Sequence, residues 1–327
     1  MKTFTYLQPR TPQEAVELKR ENPDSVYIAG GTDVVPLMKY DLLFPQTLIS
    51  LERIAELGEI TLSGNDLLIG GLARLHQLYR YAADIPALAG LGRAAQLVAS
   101  PQIRRLGTVA GNLRQCRRCY YYNQTGLWRR GIETCLKNGG QICHQAPAKK
   151  TCQALHYSDL APALLAAGAS ARLLLGGGAK TAPLESLWIE PSPLPDEALV
   201  AQIVVPEISG LKRLFFRKRA ARAAIDFPLA NAALAWRDGG RVSLAVGAMA
   251  SSAFLLEETS ALISQRLSGG EPLPENLEEL AEKEARRKMR PIKEATVSPA
   301  VKIKAMTAVV REVLADFRRG IIDNSEG

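Results

Sequence analysis

An α+β chain divided into two main parts is the architecture this sequence predicts, and three features carry the expectation. Its 327 residues exceed the roughly 100 to 200 of one ordinary domain, so more than one unit has to share the core. Helix-like and strand-like segments alternate through the N-terminal third, whereas beyond about residue 212 paired strand-like runs come first and helices follow. Apolar residues make up 47% of the chain and charged residues 23%, the balance of a folded globular protein rather than a disordered or fibrous one.

The first element is a helix, announced by Thr11-Pro12-Gln13-Glu14: an N-cap, a proline at the first helical position and a capping-box glutamate. It is expected to run to about Glu21. Val26-Tyr27-Ile28-Ala29 reads as a short buried strand feeding straight into Gly30-Gly31-Thr32-Asp33. Thr47 to Leu51 is another strand, and 60–62 with 67–69 form a hairpin across Ser63-Gly64-Asn65-Asp66. Helices follow near 74–83 and 86–98, and a further one spans Asp159 to Ala169. Ala171 to Leu175 is a strand that turns through Gly176-Gly177-Gly178, after which Pro191, Pro193, Pro195 and Pro206 punctuate the chain. A boundary is placed near 206–212. Beyond it, 230–236 and 241–249 flank Asp238-Gly239-Gly240 as a hairpin. In the last helix Val301, Ala305, Val309, Val313 and Phe317 recur at four-residue spacing and are expected to form one packed face.

A formal net charge of +8 and a pI near 9.3 raise the question of nucleic acid. The cluster Arg286, Arg287, Lys288, Arg290 and Lys293 follows a run of glutamates, so it reads as the end of a solvated helix whose charges suit the helix dipole. No nucleic-acid partner is expected. A second basic group, Arg104, Arg105, Arg114, Arg117, Arg118, Arg129, Arg130 and Lys137, surrounds the cysteines, where it is either a solvated loop or a counter-charge for an acidic partner or a cluster. The start has no apolar core of signal-peptide length and no run reaches the roughly 18 apolar residues of a membrane span, so a cytoplasmic protein without a membrane span is expected.

Gly30-Gly31-Thr32-Asp33, at the end of a strand, lets the backbone turn tightly and present several N–H groups to one anion, although a plain turn has the same composition. Gly107-Thr108-Val109-Ala110-Gly111-Asn112 adds hydroxyl and amide groups that can bind a pyrophosphate or a ribityl chain. Neither loop is a Rossmann or Walker fingerprint. Together, Ala29-Gly30-Gly31-Thr32-Asp33, Ser100-Pro101-Gln102-Ile103-Arg104 and Thr108-Val109-Ala110-Gly111-Asn112 resemble, in order and spacing, the FAD-binding subunit of the xanthine dehydrogenase and carbon monoxide dehydrogenase family. The resemblance covers essentially the whole chain. It implies a two-subdomain, PCMH-type FAD-binding part over 1–209, split near residue 55, and an α+β C-terminal domain of the CO dehydrogenase flavoprotein type over 210–327. It also implies FAD contacts from Ala29, Gly30, Gly31, Thr32, Asp33, Val34, Val35, Ser100, Thr108, Gly111 and Asn112. Ser158-Asp159-Leu160-Ala161-Pro162 is similar to the family segment whose aspartate meets the flavin, and Lys218 to the lysine near its ring. Val98 stands where some relatives place an aromatic against the flavin; Tyr120, Tyr121 or Tyr122 could stand in for it.

All five cysteines fall between 116 and 152, in the order Cys116-x2-Cys119-x15-Cys135-x7-Cys143-x8-Cys152. Scattered core cysteines do not cluster so, and disulfides are disfavoured in a cytoplasmic protein. The residues alone leave structural zinc and a four-iron, four-sulfur (4Fe-4S) cluster both open. Most family members have fewer residues here, so about 114–153 is an insertion, and insertions of that length are usually functional. Cys119-Tyr120-Tyr121-Tyr122-Asn123-Gln124 with Cys135, Cys143 and Cys152 resembles the flavin subunit of 4-hydroxybenzoyl-CoA reductase. That resemblance implies a 4Fe-4S cluster on Cys119, Cys135, Cys143 and Cys152, with Cys116 left as a thiol or as a substitute ligand for Cys119. His144 is expected near the cluster rather than on it.

No catalytic side-chain set stands out, and the flavin itself would carry the two-electron chemistry. The resemblance implies an electron-transfer subunit whose partners are a molybdopterin-binding large subunit, a small subunit with two 2Fe-2S clusters and a ferredoxin-like carrier, assembled as a dimer of heterotrimers. It implies reductive dehydroxylation of an aromatic CoA thioester; an aromatic or heterocycle hydroxylase passing electrons to NAD or a quinone is the alternative. A zinc-finger module for nucleic acid is the non-enzyme reading.

Overall fold

The structure is a computed structural model that describes residues 2–189, 192–223, 225–294 and 297–325. Pro191 lies outside the described residues. Among the described residues three sheets organise the fold. The first is a small parallel sheet in which β3 (Thr47–Ser50) lies between β1 (Thr5–Leu7) and β2 (Ser25–Ile28), with helices α1 (Pro12–Glu21) and α2 (Val34–Lys39) in the connections. Helix α1 begins where its cap demands: the Thr11 hydroxyl accepts from Glu14 N–H at 3.2 Å, and the Glu14 carboxylate accepts from Arg10 N–H, one residue ahead of the cap, at 2.7 Å. It buries Ala15 and Val16 against Ile49, Leu51 and Ile54.

The second sheet runs β4 (Ile60–Ser63), β5 (Asp66–Gly70), β8 (Leu199–Val205), β6 (Ser170–Leu175), β7 (Gly178–Pro183), all antiparallel. Between β5 and β6 the chain forms α3 (Leu75–Ala83), α4 (Ala89–Gln96), α5 (Pro101–Leu106), α6 (Val109–Leu113), the cysteine loop with its single turn α7 (Gly126–Arg129), and α8 (Leu160–Ala166). The third sheet orders β12 (Phe254–Leu255), β11 (Val242–Gly247), β10 (Ala230–Arg237) and β9 (Leu211–Arg219), again antiparallel, with α9 (Glu257–Ser268), α10 (Leu277–Lys288) and α11 (Pro299–Ser325) completing the C-terminal part. Helix α10 opens on Glu278 and Glu279 and closes on Arg286, Arg287 and Lys288, the polarity its dipole favours.

A continuous core passes from the second sheet through α3, α4 and α8 into β9 and β10, so the N- and C-terminal parts share one apolar interior. The junction is fixed as well. Arg237 donates to the carbonyls of Ala167 at 2.7 Å, Glu207 at 2.9 Å and Pro206 at 3.1 Å.

The expected face of α11 is corrected. Val309, Val313 and Phe317 are fully buried, but Val301 is 45% exposed, and the packed stripe is Met306, Val309, Val310, Val313, Leu314 and Phe317. Four residues advance a helix by about 400°, so a strict four-residue repeat drifts about 40° per step and leaves the core after two or three steps. Mixed three- and four-residue spacing stays on it. Among the described residues no helix is long and apolar enough to cross a membrane.

Candidate functional site

Strand β2 delivers the chain into Gly30-Gly31-Thr32-Asp33 at the mouth of a cleft of about 340 Å³. The opposite wall is the start of α6, where the Thr108 hydroxyl accepts from Gly111 N–H at 3.1 Å and caps the helix. The two walls touch: a Cβ on Gly30 would lie 1.9 Å from the Leu106 carbonyl oxygen, and Gly31 holds a positive φ of 68°. Only glycine permits both. Ala29, Gly30, Gly31, Thr32, Asp33, Val34, Thr108 and Gly111 all line this cleft.

The cleft also contains residues that the sequence pattern did not assign to it. Lys19, buried on α1, pairs with Asp196 and donates to the Pro23 carbonyl at 2.9 Å. Arg114 lies on the wall, where burial pulls its pKa down against the influence of Asp196. Burial likewise pushes the Tyr27 hydroxyl well up, and it donates to the Glu197 carbonyl at 2.9 Å. The buried Ser25 hydroxyl has no hydrogen-bond partner among the described residues. Lys19 and Asp196 neutralise each other, and Asp33 is paired with Arg118. Arg114, the backbone amides of the Gly30–Asp33 turn and an unsatisfied hydroxyl then fit an anionic, hydrogen-bonding guest such as the pyrophosphate half of FAD.

The other residues expected to meet a flavin sit elsewhere. Ser100 spends its hydroxyl on Ile103 N–H at 3.3 Å as the cap of α5, and Val35 packs with Ile28, Met38 and Leu48. Asn112, Asp159 and Lys218 belong to one buried chain of polar contacts. Ser158 Oγ donates to Asn112 Oδ1 at 2.6 Å, Asn231 Nδ2 donates to Asp159 Oδ1 at 2.8 Å, and Lys218 Nζ meets Asp159 Oδ2 at 2.6 Å and the Leu97 carbonyl at 2.9 Å. Burial raises the Asp159 carboxyl pKa, and Lys218 and Asn231 pull against that rise. Lys218 borders a second cleft between β9 and α11.

The cysteine loop leaves α6 and returns to α8 through a neck where Arg118 and Leu155 exchange backbone hydrogen bonds at 2.8 and 2.9 Å. Within it the Cys119 N–H donates to Asn123 Oδ1 at 2.8 Å, while the Gly140 N–H donates to the Cys135 carbonyl at 2.9 Å. A side chain on Gly140 would strike the Thr134 carbonyl at 1.7 Å. This folding brings Cys119, Cys135, Cys143 and Cys152 around one small cavity, together with Tyr121, Tyr122 and His144; Cys116 is not on it. Tyr120, Tyr121 and Tyr122 are absent from the lining of the cleft at Gly30–Asp33, and the Tyr121 ring lies tilted against His144 at 5.0 Å. Burial raises the Cys119 thiol pKa, whereas the amides of Tyr121 and Tyr122 and the Gln145 side chain, 3.7 Å from its sulfur, favour the thiolate. Among the described residues no three His, Cys, Asp or Glu side chains converge closely enough to hold one metal ion. A 4Fe-4S cluster does not ask for that convergence, because each of its four thiolates meets a different iron.

Residues 2–208 match the family described as the FAD binding domain in molybdopterin dehydrogenase. The aldehyde oxidoreductase FAD-binding subunit of Escherichia coli is 31% identical over 280 residues, 81% of this chain and 87% of that one. The glyceraldehyde dehydrogenase medium chain of Sulfolobus acidocaldarius is 25% identical over 236 residues, 71% of this chain and 69% of that one. Among solved structures, carbon monoxide dehydrogenase from Hydrogenophaga pseudoflava has a chain of the same fold, with TM-score 0.74 and 22% identity over 96% of both chains. Quinoline 2-oxidoreductase from Pseudomonas putida 86 has another, with TM-score 0.72 and 20% identity over 98% of this chain and 99% of that one.

Proposed function

The chain belongs to the family of FAD-binding domains of molybdopterin dehydrogenases, and from that premise we propose that it is a flavin and iron–sulfur electron-transfer subunit of a multi-subunit oxidoreductase. FAD, when bound, supplies the exchange between two-electron and one-electron chemistry. This chain's residues would position it: the amides of Gly30 to Asp33 and the Thr108 hydroxyl would receive the pyrophosphate, and Arg114 would offset its charge, whereas Lys19 is already paired with Asp196. Asn112, Asp159 and Lys218 bias the flavin by hydrogen bonds and charge; the resemblance supports that role, and their being joined in one buried network is consistent with it.

The observation that carries the second centre is the cysteine cavity. Four of five cysteines, Cys119, Cys135, Cys143 and Cys152, line one small cavity, while the Cys116 backbone N–H donates to Asp33 at the neck. Cys119, Cys135, Cys143 and Cys152 would hold a 4Fe-4S cluster there. Its counter-charge is at hand: residues 114–152 contain eight Lys and Arg against one Glu, a surplus of seven positive charges in a chain whose total is +8. Exposed Arg130, Lys149 and Lys150 then suit an acidic ferredoxin-like carrier.

A molybdopterin-binding large subunit and a small subunit with two 2Fe-2S clusters complete the enzyme, as a dimer of heterotrimers. The cysteine intervals favour reductive dehydroxylation of an aromatic CoA thioester as the overall reaction. A second reading, oxidation of an aldehyde, is favoured by the E. coli relative, whose match spans 87% of that chain. The test is metal and flavin analysis of anaerobically purified protein. About four irons and four acid-labile sulfides with one FAD per chain support the proposal; zinc without iron removes the cluster. The purified complex given 4-hydroxybenzoyl-CoA with reduced ferredoxin, or aldehydes with an oxidant, separates the two substrate readings.

A further inference from the structure

We propose that Asp33 is a positioning residue that couples the two cavities, so that filling the flavin cleft slows iron loss from the cysteine loop and an intact iron centre tightens FAD. The inference rests on the cluster reading above. Asp33 precedes α2, where a short acidic side chain ordinarily caps the helix, yet it makes no capping bond. Its carboxylate turns the other way. Oδ2 accepts from the Cys116 N–H at 2.9 Å, and Oδ1 accepts from the Arg118 guanidinium at 2.8 Å.

Both partners belong to the base of the cysteine loop. Arg118 directly precedes Cys119, exchanges backbone hydrogen bonds with Leu155 just after Cys152, and lies 4.6 Å over the Phe227 ring. The neck that closes the loop is therefore tied by one side chain to the glycine turn of the flavin cleft. That turn has little to stiffen it from within, since Gly30 and Gly31 contribute no side chains and Gly31 adopts a left-handed conformation. An anion received by its amides orders the turn, and with it the direction of the Asp33 carboxylate. Arg118 and Asp33 are only partly buried, at 30% and 23% exposure, so the coupling belongs at the low end of the usual range of about 5- to 150-fold. Linkage makes it reciprocal: whatever factor FAD exerts on retention of the iron centre, the iron centre exerts on FAD binding.

The experiment follows iron release to a chelator from the purified complex, with FAD bound and after FAD removal, in wild type, D33N and R118Q. Removal of FAD is expected to accelerate release about fivefold in wild type and to change nothing in D33N. R118Q, altering a residue that does not line the flavin cleft, is expected to raise the Kd for FAD about fivefold. The wild-type comparison stands by itself if a variant fails to fold. Iron release that ignores FAD in wild type, or D33N that keeps the full dependence, overturns the coupling while leaving the cluster reading intact. A wild-type chain with FAD and no iron removes both.

Discussion

Replacing Lys218 by Met isolates a buried carboxylate, and the structure sets both the size and the pH dependence of the cost. Asp159 and Lys218 are 4% and 7% exposed, so neither charge has water to fall back on. Without Lys218, Asp159 keeps only its bond from Asn231, and breaking such a pair costs about 3–5 kcal/mol. Protonation caps the loss. Giving a proton at pH 7 to a carboxyl whose ordinary pKa is near 4 costs about 4 kcal/mol, and the figure falls by about 1.4 kcal/mol per pH unit. Loss of the bond to the Leu97 carbonyl adds a pH-independent increment of about 1 kcal/mol. The sign follows from linkage: in the variant the folded state holds its proton to higher pH than the unfolded chain, so its stability falls as pH rises through that window. Denaturant unfolding of FAD-free K218M and wild type at pH 5 and pH 7 should give a difference between them that is larger at pH 7 by at most about 2–3 kcal/mol, because the raised carboxyl of the wild type shares part of that pH dependence. Equal losses at the two pH values would refute the reasoning and reduce Lys218 to packing.

Gly30→Ala should lower the FAD content of purified protein at least tenfold, read from flavin absorbance, because its methyl group would lie 1.9 Å from the Leu106 carbonyl and force the cleft walls apart. Iron analysis of single serine variants should show C135S losing most of its iron and C116S retaining it, since Cys135 faces the cavity and Cys116 does not; the opposite pattern would move the ligand set. Asp316 is held below the usual carboxylate range: burial pushes it up, but Arg217 and Arg319 outweigh that push. Its contribution is thus present above pH about 4 and lost as pH falls through the depressed value, so D316N should cost about 1 kcal/mol at pH 7 and progressively less in acid, measured by thermal unfolding across pH.

What the sequence made legible was whatever a few neighbouring residues decide. The cap at Thr11, the hairpins at 63–66 and 238–240 and the crowding of cysteines into one segment are local, whereas the sheet order, which pairs β5 with the distant β8, is not. Direction and burial are not local. Lys19 reads as one more cation on a solvated helix, and only the return of the chain at Asp196, 177 residues on, makes it a buried wall of the flavin cleft. Arg114 was visible as charge near the cysteines but not as part of the other cavity. Asp33 sits in a flavin-type motif, but where its carboxylate points is decided by residues 83 and 85 positions away. Ser100 stands in a family motif yet is spent on a helix end. For Val301 the error was geometric, a period of four read where the helix keeps 3.6.

The single guanidinium of Arg237 that holds the carbonyls of Ala167, Pro206 and Glu207 has a further consequence. Enzymes that must engulf a substrate keep a hinge where two halves meet. Here that seam is riveted, and the apolar interior crosses it without a break. If the proposed flavin and cluster both sit in such a frame, they would keep their separation and orientation from one turnover to the next, and driving force and spacing, with no door to wait for, would set the pace of charge passage.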